Sequence, residues 1–501
     1  MSYFVGIDAG TSSCRAAVFD ENLHLITIHS REYPLMVSAD GGAEQDPEIV
    51  VEAVSSTLAE CLNQSGISRE KIEAISFAGV MHGLLALDRD GQALTNAITW
   101  ADLRSAEQAA ALRRRVDPME IYKRTGCPIH ALYLPAKILW LKETRSEIFD
   151  SAWKICSLKD YIIFRLTGHL ISDLSIGAGS GLLNIHTLTW DQEALSLAGI
   201  DEDRLPILAP TTHQVHGVKP EKASGMDFLK DTPIVIGASD GTLSNLGSGA
   251  VKPDQFAASV GTSGAIRTFA TTPKLDPKAR TWCYYLYDNI WVPGGATNNA
   301  GNVLRWIRDN AGLSIVEDAR RNGEDPYTAL SRCASEVPPG SEGLIFLTFL
   351  AGERCPNWNA RSKGVLFGLN LTHTYRHLVR AAMEGVIFQL YGVFEALQEH
   401  CGSPQEIRAS GGFARSREWL QIAADIFGCP LSLPSMTEAT TAGAAILGMI
   451  STGHIRTIDQ VKEMIPVKSV IEPRREFHEL YMEIYDQYKR IYEHLEPEFV
   501  D

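Results

Sequence analysis

The sequence has no Gly-Lys dipeptide, so it cannot form the loop in which a glycine-flanked lysine grips a triphosphate. His-Arg-Asp and Asp-Phe-Gly triplets are missing too, which removes the protein-kinase catalytic core. No Cys-x-x-Cys pair occurs. The nine cysteines are scattered (Cys14, Cys61, Cys127, Cys156, Cys283, Cys333, Cys355, Cys401, Cys429), so neither a zinc site nor a disulfide framework has its spacing, and reduced thiols are expected. Basic residues are in deficit, 46 against 61 acidic, and the net charge of −15 disfavours nucleic acid or an anionic membrane as a partner. No apolar run approaches the roughly 18 residues of a membrane span. The start, Met1-Ser2-Tyr3-Phe4-Val5, runs into a strand without the basic head and apolar stretch of a signal peptide. A soluble, cytoplasmic protein is expected.

With 501 residues and 45% hydrophobic composition, the chain has material for two domains of roughly 200–250 residues each. Residues 3–8, a turn at Gly10-Thr11-Ser12-Ser13 and residues 15–19 read as a β-hairpin with a glycine-hydroxyl tip. Asp46 as N-cap and Pro47 at the first position start a helix whose apolar face is Ile49, Val50, Ala53, Val54, Thr57, Leu58, Cys61 and Leu62. Further strands are expected at 72–77, 84–87, 233–238 and 256–260, and helices at 103–116, 135–142, 302–309, 377–398 and 419–427. Such alternation favours α/β layers. The hairpin segment 5–12, with Arg15 beyond it, is echoed half a chain later by Ala258-Ser259-Val260-Gly261-Thr262-Ser263 with Arg267 beyond. This echo predicts a duplicated architecture of two domains, 1–248 and 249–501. The C-terminal stripe Phe477, Leu480, Tyr481, Ile484, Tyr485, Tyr488, Ile491, Tyr492 and Leu495 lies at helical spacing and reads as a docking face on the body of the protein rather than a stacking platform for a ligand.

Phosphoryl transfer is mostly positioning and charge neutralisation. It needs amides to cradle phosphates, carboxylates for a divalent cation, and a base aimed at the acceptor hydroxyl. Gly10 admits a phosphate close to the backbone, Thr11, Ser12 and Ser13 supply donors, and Asp8 at the strand end can reach a hydrated Mg²⁺. An ordinary hairpin with a polar tip has the same local pattern. In Gly237-Ala238-Ser239-Asp240-Gly241 an apolar strand delivers a carboxylate between glycines. Asp240 is the candidate general base, although a turn aspartate is the commoner use of such a residue. Gly411-Gly412-Phe413-Ala414-Arg415-Ser416 follows a strand and opens a helix, offering amides to a nucleotide. Gly177-Ala178-Gly179-Ser180-Gly181 lacks the context of a dinucleotide site and reads as a tight turn.

Taken in order, these motifs resemble those of the FGGY carbohydrate kinases over essentially the whole chain. Residues 4–12 are similar to the family's first phosphate motif, and 236–241 to the segment with the catalytic aspartate. Residues 259–264 are similar to the second phosphate loop, and Gly411-Gly412 with Ser416 to the adenosine motif. Residues 364–369 with His377-Leu378 and 381–384 resemble the C-terminal signature. The resemblance implies two actin-like, ribonuclease-H-like α/β domains around an ATP cleft, with Asp240 as base and Asp8 beside Mg²⁺. It also implies nucleotide contacts at Thr11, Ser12, Ser13, Arg15, Gly261, Thr262, Gly301, Arg305, Gly411, Gly412 and Ser416; at 305 some relatives carry glutamine. Met81-His82-Gly83 and Trp100-Ala101-Asp102-Leu103-Arg104 resemble loops near the sugar, giving Met81, His82, Asp102 and Arg104 as substrate residues.

Within the family the resemblance runs to the gluconokinases, through 98–105, 122–130 (which adds His130), 240–247 and 350–354. It implies transfer of the γ-phosphoryl group of ATP to a sugar acid, D-gluconate giving 6-phospho-D-gluconate. Gly83 after Met81-His82 is instead as in xylulokinases, so a kinase of xylulose or another sugar is the alternative. An actin-like ATPase serving as chaperone or scaffold is the alternative of another class. Gluconate is an anion, and its carboxylate calls for a cation or strong donors; His82, Arg104, His130 and Lys159 are the candidates. Arg104 could instead orient Asp102, and Lys159 with Asp160 could be a solvated pair. The reading leaves a homodimer open.

Overall fold

A computed structural model describes residues 1–217 and 231–499. The chain forms two compact units. The first comprises Met1–Val251, Ala270–Val292 and Glu438–Ile465; the second comprises Lys252–Phe269, Pro293–Thr437 and Pro466–Asp501. The chain first crosses after Val251, close to the expected division at 248. Two later segments then return to the first unit, because their contacts are there.

In the first unit β1 (Tyr3–Ala9) turns back as β2 (Ser13–Asp20), which pairs with β3 (Leu25–Glu32), all antiparallel. On the other side of β1 lie β4 (Ile72–Gly79), parallel to β1, and β5 (Ile234–Ser239), parallel to β4. The core order is β3-β2-β1-β4-β5. Helix α1 (Pro47–Ser65) begins where Asp46 accepts from the amides of Glu48 and Ile49, and ends at Gly66, whose φ of 65° only glycine adopts cheaply. Its buried stripe includes Val50, Val54, Leu58 and Cys61 and extends to Val51. Ile49, expected on that stripe, is 43% exposed, because at about 100° per residue it falls on the far side of the helix.

The second unit repeats this pattern. Strand β6 (Gln255–Val260) turns into β7 (Gly264–Thr268), which pairs antiparallel with β8 (Ile290–Thr297) through residues 294–297. Strand β9 (Glu406–Gly411) runs parallel to β6, and β10 (Leu431–Pro434) parallel to β9. The order β8-β7-β6-β9-β10 is that of the first unit, and the echoed tips occupy equivalent hairpins. Here the C-terminal helix Arg475–Leu495 docks as expected. Tyr481 and Tyr485 are buried, with ring centroids 5.9 Å from Phe388 and 4.7 Å from Tyr391 respectively.

The helix Ala439–Ser451 belongs to the first unit and packs at backbone distance. A Cβ on Gly6 would lie 1.9 Å from the Thr441 carbonyl oxygen, and one on Gly443 would lie 2.1 Å from that of Leu243. Two expectations change in detail. Residues 174–178 form a short helix before the turn at 179–181, and the helix expected at 302–309 becomes Gly301–Trp306 followed by a wider turn, Ile307–Ala311. The nine cysteines form no disulfide; eight are buried and Cys401 is half-buried. Among the described residues no helix is long and apolar enough to cross a membrane.

Candidate active site

In the first unit Asp8 lies near the end of β1, opposite Arg15 on β2. The Gly10 amide donates to the Ser13 carbonyl at 3.0 Å, closing the tip. Three side chains pin it from behind: Tyr33 donates to the Gly10 carbonyl (2.7 Å), Gln45 to the Thr11 carbonyl (3.0 Å) and the Trp100 indole to the Thr11 hydroxyl (2.8 Å). Trp100 can only donate, so the Thr11 hydroxyl keeps its own hydrogen for another acceptor. Ser12 and Arg15 are exposed.

Asp240 is the first residue of helix α5 (Asp240–Gly247) rather than a turn residue, and its Oδ1 accepts from the Gly241 amide at 2.7 Å. The helix N-terminus stabilises negative charge there. Asp8 carries a buried carboxylate oxygen, Oδ1, without a hydrogen-bond partner. Burial first, then the neighbouring charge of Asp240, raise its pKa from 3.8 to about 7; Arg15 pulls it down and Glu438 adds to the rise. Negative charge is thus gathered where a cation would relieve it. The segment 237–241 also spells Gly-x-Ser-x-Gly, but Ser239 is fully buried with its hydroxyl bonded to other hydroxyls, which is no place for a nucleophile.

The residues of this unit expected to meet the sugar are held by partners of the protein's own. His82, at φ 66°, directs Nδ1 to the Gly179 carbonyl at 2.6 Å, so Nδ1 carries the hydrogen. Met81 is buried, its sulfur against Gly179. Asp102 accepts from the Ala43 amide (2.9 Å) and from Arg104, whose guanidinium also meets Glu44 at 2.5 Å. Two carboxylates thereby match the charge of Arg104. His130 accepts the Leu132 amide on Nδ1 at 3.1 Å, which makes its ring neutral. Lys159 and Asp160 are no solvated pair. They are 1% and 2% exposed, and Lys159 is matched by Asp173 at 2.5 Å.

In the second unit the Gly261 amide donates to the Ser263 carbonyl at 3.0 Å, closing a tip one residue tighter than that at Gly10. The Gly301 amide donates to the Gly261 carbonyl at 2.8 Å, and a Cβ there would stand 2.5 Å from that oxygen. Arg305, exposed, reaches the Thr262 hydroxyl at 3.5 Å. Gly411 pairs with Val260 at φ 91°, and Gly412 follows it, exposed. Ser416 caps the helix Arg417–Phe427 and donates to Ser331 at 2.9 Å. Gly261, Thr262, Gly301, Arg305, Gly411 and Gly412 therefore form one cluster, while Ser416 stands at a helix start beyond it.

Residues 3–247 match the model of the FGGY family of carbohydrate kinases, N-terminal domain, and residues 256–452 match that of the C-terminal domain. The chain belongs to the FGGY family of carbohydrate kinases. Its two α/β units have the family's actin-like, ribonuclease-H-like fold. A gluconokinase of Bacillus subtilis (strain 168) is 45% identical over 465 residues, 93% of this kinase and 90% of that protein. The structure of a gluconate kinase from Lactobacillus acidophilus shares 36% identity with a TM-score of 0.91, covering 99% of this chain and 98% of that one. A xylulose kinase from the same species gives 35% and 0.92 with the same coverage.

Two residues of this kinase escaped the reading of its sequence. Glu438, which acts on Asp8, comes from a segment 430 positions away and carries no local signal. Lys137 is 1% exposed on helix α2 (Leu134–Thr144), and its ammonium donates to the carbonyls of His82 (2.7 Å) and Thr99 (2.6 Å). It joins the loops that carry His82 and Thr99. The available signal was periodicity: Leu134, Lys137, Ile138 and Leu141 share one buried face, and a lysine on such a face needs a reason.

Proposed function

We propose that this kinase transfers the γ-phosphoryl group of ATP to the 6-hydroxyl of D-gluconate in the cytoplasm, with Asp240 as general base. The substrate reading rests on the 45% identity to a gluconokinase across 93% of the chain. Asp240 accepts the hydroxyl proton as the sugar oxygen bonds to the γ-phosphorus and the bond to the leaving ADP oxygen breaks. The hairpin tip at Thr11–Ser13 and the cluster around Thr262 and Gly412 bind phosphates and nucleotide. Asp8, with its partnerless oxygen beside Asp240 and Glu438, suits Mg²⁺. Among the described residues no three ligating side chains converge, so the ion would be held chiefly through waters and phosphates. When bound, Mg²⁺ spreads the charge of the phosphates. Near the sugar, Arg104 acts by holding Asp102, and His82 and His130 offer hydrogen bonds.

The xylulose kinase of nearly equal structural similarity supports the second reading, a neutral ketose as acceptor. An ADP-release assay with gluconate, xylulose, glycerol and ribulose separates them. Gluconate is expected to have the highest kcat/KM by at least about tenfold, and preference for xylulose would overturn the substrate. Asp240→Ala should lower kcat by roughly 10²–10⁴-fold while ATP binding by calorimetry persists. Near-normal turnover would refute the base.

A further inference from the structure

The direction of the Asp240 carboxylate depends on where helix α5 begins, and its first turn is held from behind by a buried polar chain. The Ser175 hydroxyl lies 3.0 Å from that of Ser239 and 3.1 Å from that of Thr242, and those two are 2.8 Å apart. The Ser239 amide also points at Ser175 Oγ, at 3.3 Å, and the Thr242 hydroxyl donates to the Ser239 carbonyl at 3.0 Å. All three residues are fully buried. Ser239 and Thr242 flank Asp240, so this ring of hydroxyls fixes the strand-to-helix corner.

Ser175 is fixed in turn. It sits in helix α4 (Leu174–Ala178), where Asp173 Oδ1 accepts the amides of Ser175 and Ile176, each at 2.9 Å. Asp173 Oδ2 is 2.5 Å from Lys159 Nζ on helix α3 (Leu158–Thr167). The same ammonium donates to the Ile236 carbonyl of β5 at 2.7 Å. There the strand is already irregular: Gly237 has φ 72°, a Cβ on it would stand 1.7 Å from the Phe77 carbonyl oxygen, and the register with β4 slips between Val235 and Ala238. Gly79, opposite Ser239, makes room, since a Cβ there would come within 2.7 Å of the Lys159 side chain.

A buried ion pair adds little to stability, because desolvating two charges offsets much of their attraction. What it fixes is geometry. We infer that Lys159, Asp173 and Ser175 are positioning residues for Asp240: they touch no reactant and set the place and aim of its carboxylate. The inference rests on reading Asp240 as the base. It gives Lys159 a task other than meeting the carboxylate of the sugar acid.

Steady-state kinetics of the full-length protein with gluconate and MgATP test it. Ser175→Ala removes one oxygen and should lower kcat at least tenfold, with both KM values within twofold and the melting temperature nearly unchanged. The paired change Lys159→Met with Asp173→Leu, which removes both members of the ion pair but leaves the buried Asp160 carboxyl in place, should lower kcat likewise. Ser175→Ala in the Asp240→Ala background should cost nothing more, a non-additivity that a merely structural role does not produce. If Ser175→Ala keeps full kcat while Asp240→Ala is inactive, the positioning role is wrong. If Asp240→Ala itself stays active, the assignment of the base fails instead. Should the paired variant not fold, Ser175→Ala alone decides.

Discussion

At the scale of single residues, Asp8 concentrates the electrostatics of the first unit. Its pKa of about 7 against an ordinary 3.8 means that the folded protein holds a proton there that the unfolded chain has released. The contribution to stability is therefore complete below the ordinary value and is lost as pH rises through about 7. Without Mg²⁺ or nucleotide, Asp8→Asn should raise the melting temperature relative to the parent more at pH 8 than at pH 5. Scanning calorimetry at the two pH values checks this, and an equal gain at both would contradict it. Asp8 and Asp240 were legible because each ends an apolar strand beside glycines. Glu438 was not, because its closeness to Asp8 exists only once the helix Ala439–Ser451 lies across β1. The sequence also allowed Arg104 and Lys159 to be spare cations. Asp102, two positions from Arg104, was visible as a partner, but Glu44 for Arg104 and Asp173 for Lys159 come from other segments, and only folding brings them in.

At the scale of elements, two contacts govern how firmly the first unit is built. Lys137 ties the loops of His82 and Thr99 through their carbonyls, and burial lowers its pKa to about 7. Lys137→Met should raise the KM for gluconate about tenfold while leaving that for ATP unchanged, since each abandoned carbonyl costs about 1–3 kcal/mol of local order. Initial-rate measurements with one substrate varied at a time settle it. The helix Ala439–Ser451 tolerates no such adjustment. Gly443→Ala places a methyl 2.1 Å from backbone and should destabilise the protein by about 1–3 kcal/mol in urea unfolding, at the upper end of that range. This helix gave no readable period because ten of its thirteen residues are buried, leaving no polar face to mark it. Strands β1, β4, β5 and β6 were readable because parallel or central strands appear as short apolar runs.

At the scale of the whole chain, the same strand order occurs twice, and the repeated Gly-Thr-Ser tips carry that duplication in the sequence itself. What the tips cannot disclose is the threading. The first unit is completed by residues 270–292 and 438–465, so a cut near the middle of the sequence does not separate two finished bodies. A fragment of residues 1–251 lacks the helix that fills the groove over Gly6 and Gly247. It should remain without fixed tertiary packing, showing far-UV but no near-UV circular dichroism. A sharply folded fragment would show that the returning segments are dispensable. The substrate, unlike the fold, is reached by a sequence reading only through likeness, and gluconate and xylulose kinases stand almost equally near in structure.

The buried sulfurs carry a practical corollary. Eight thiols are buried across both units, five within strands or helices and three in connecting segments, and only Cys401, at a helix end, is within partial reach of a reagent. An alkylating agent added to the native protein would find the others only when the covering segment lifts. The order in which they become labelled would then chart, site by site, which parts of the enzyme breathe first.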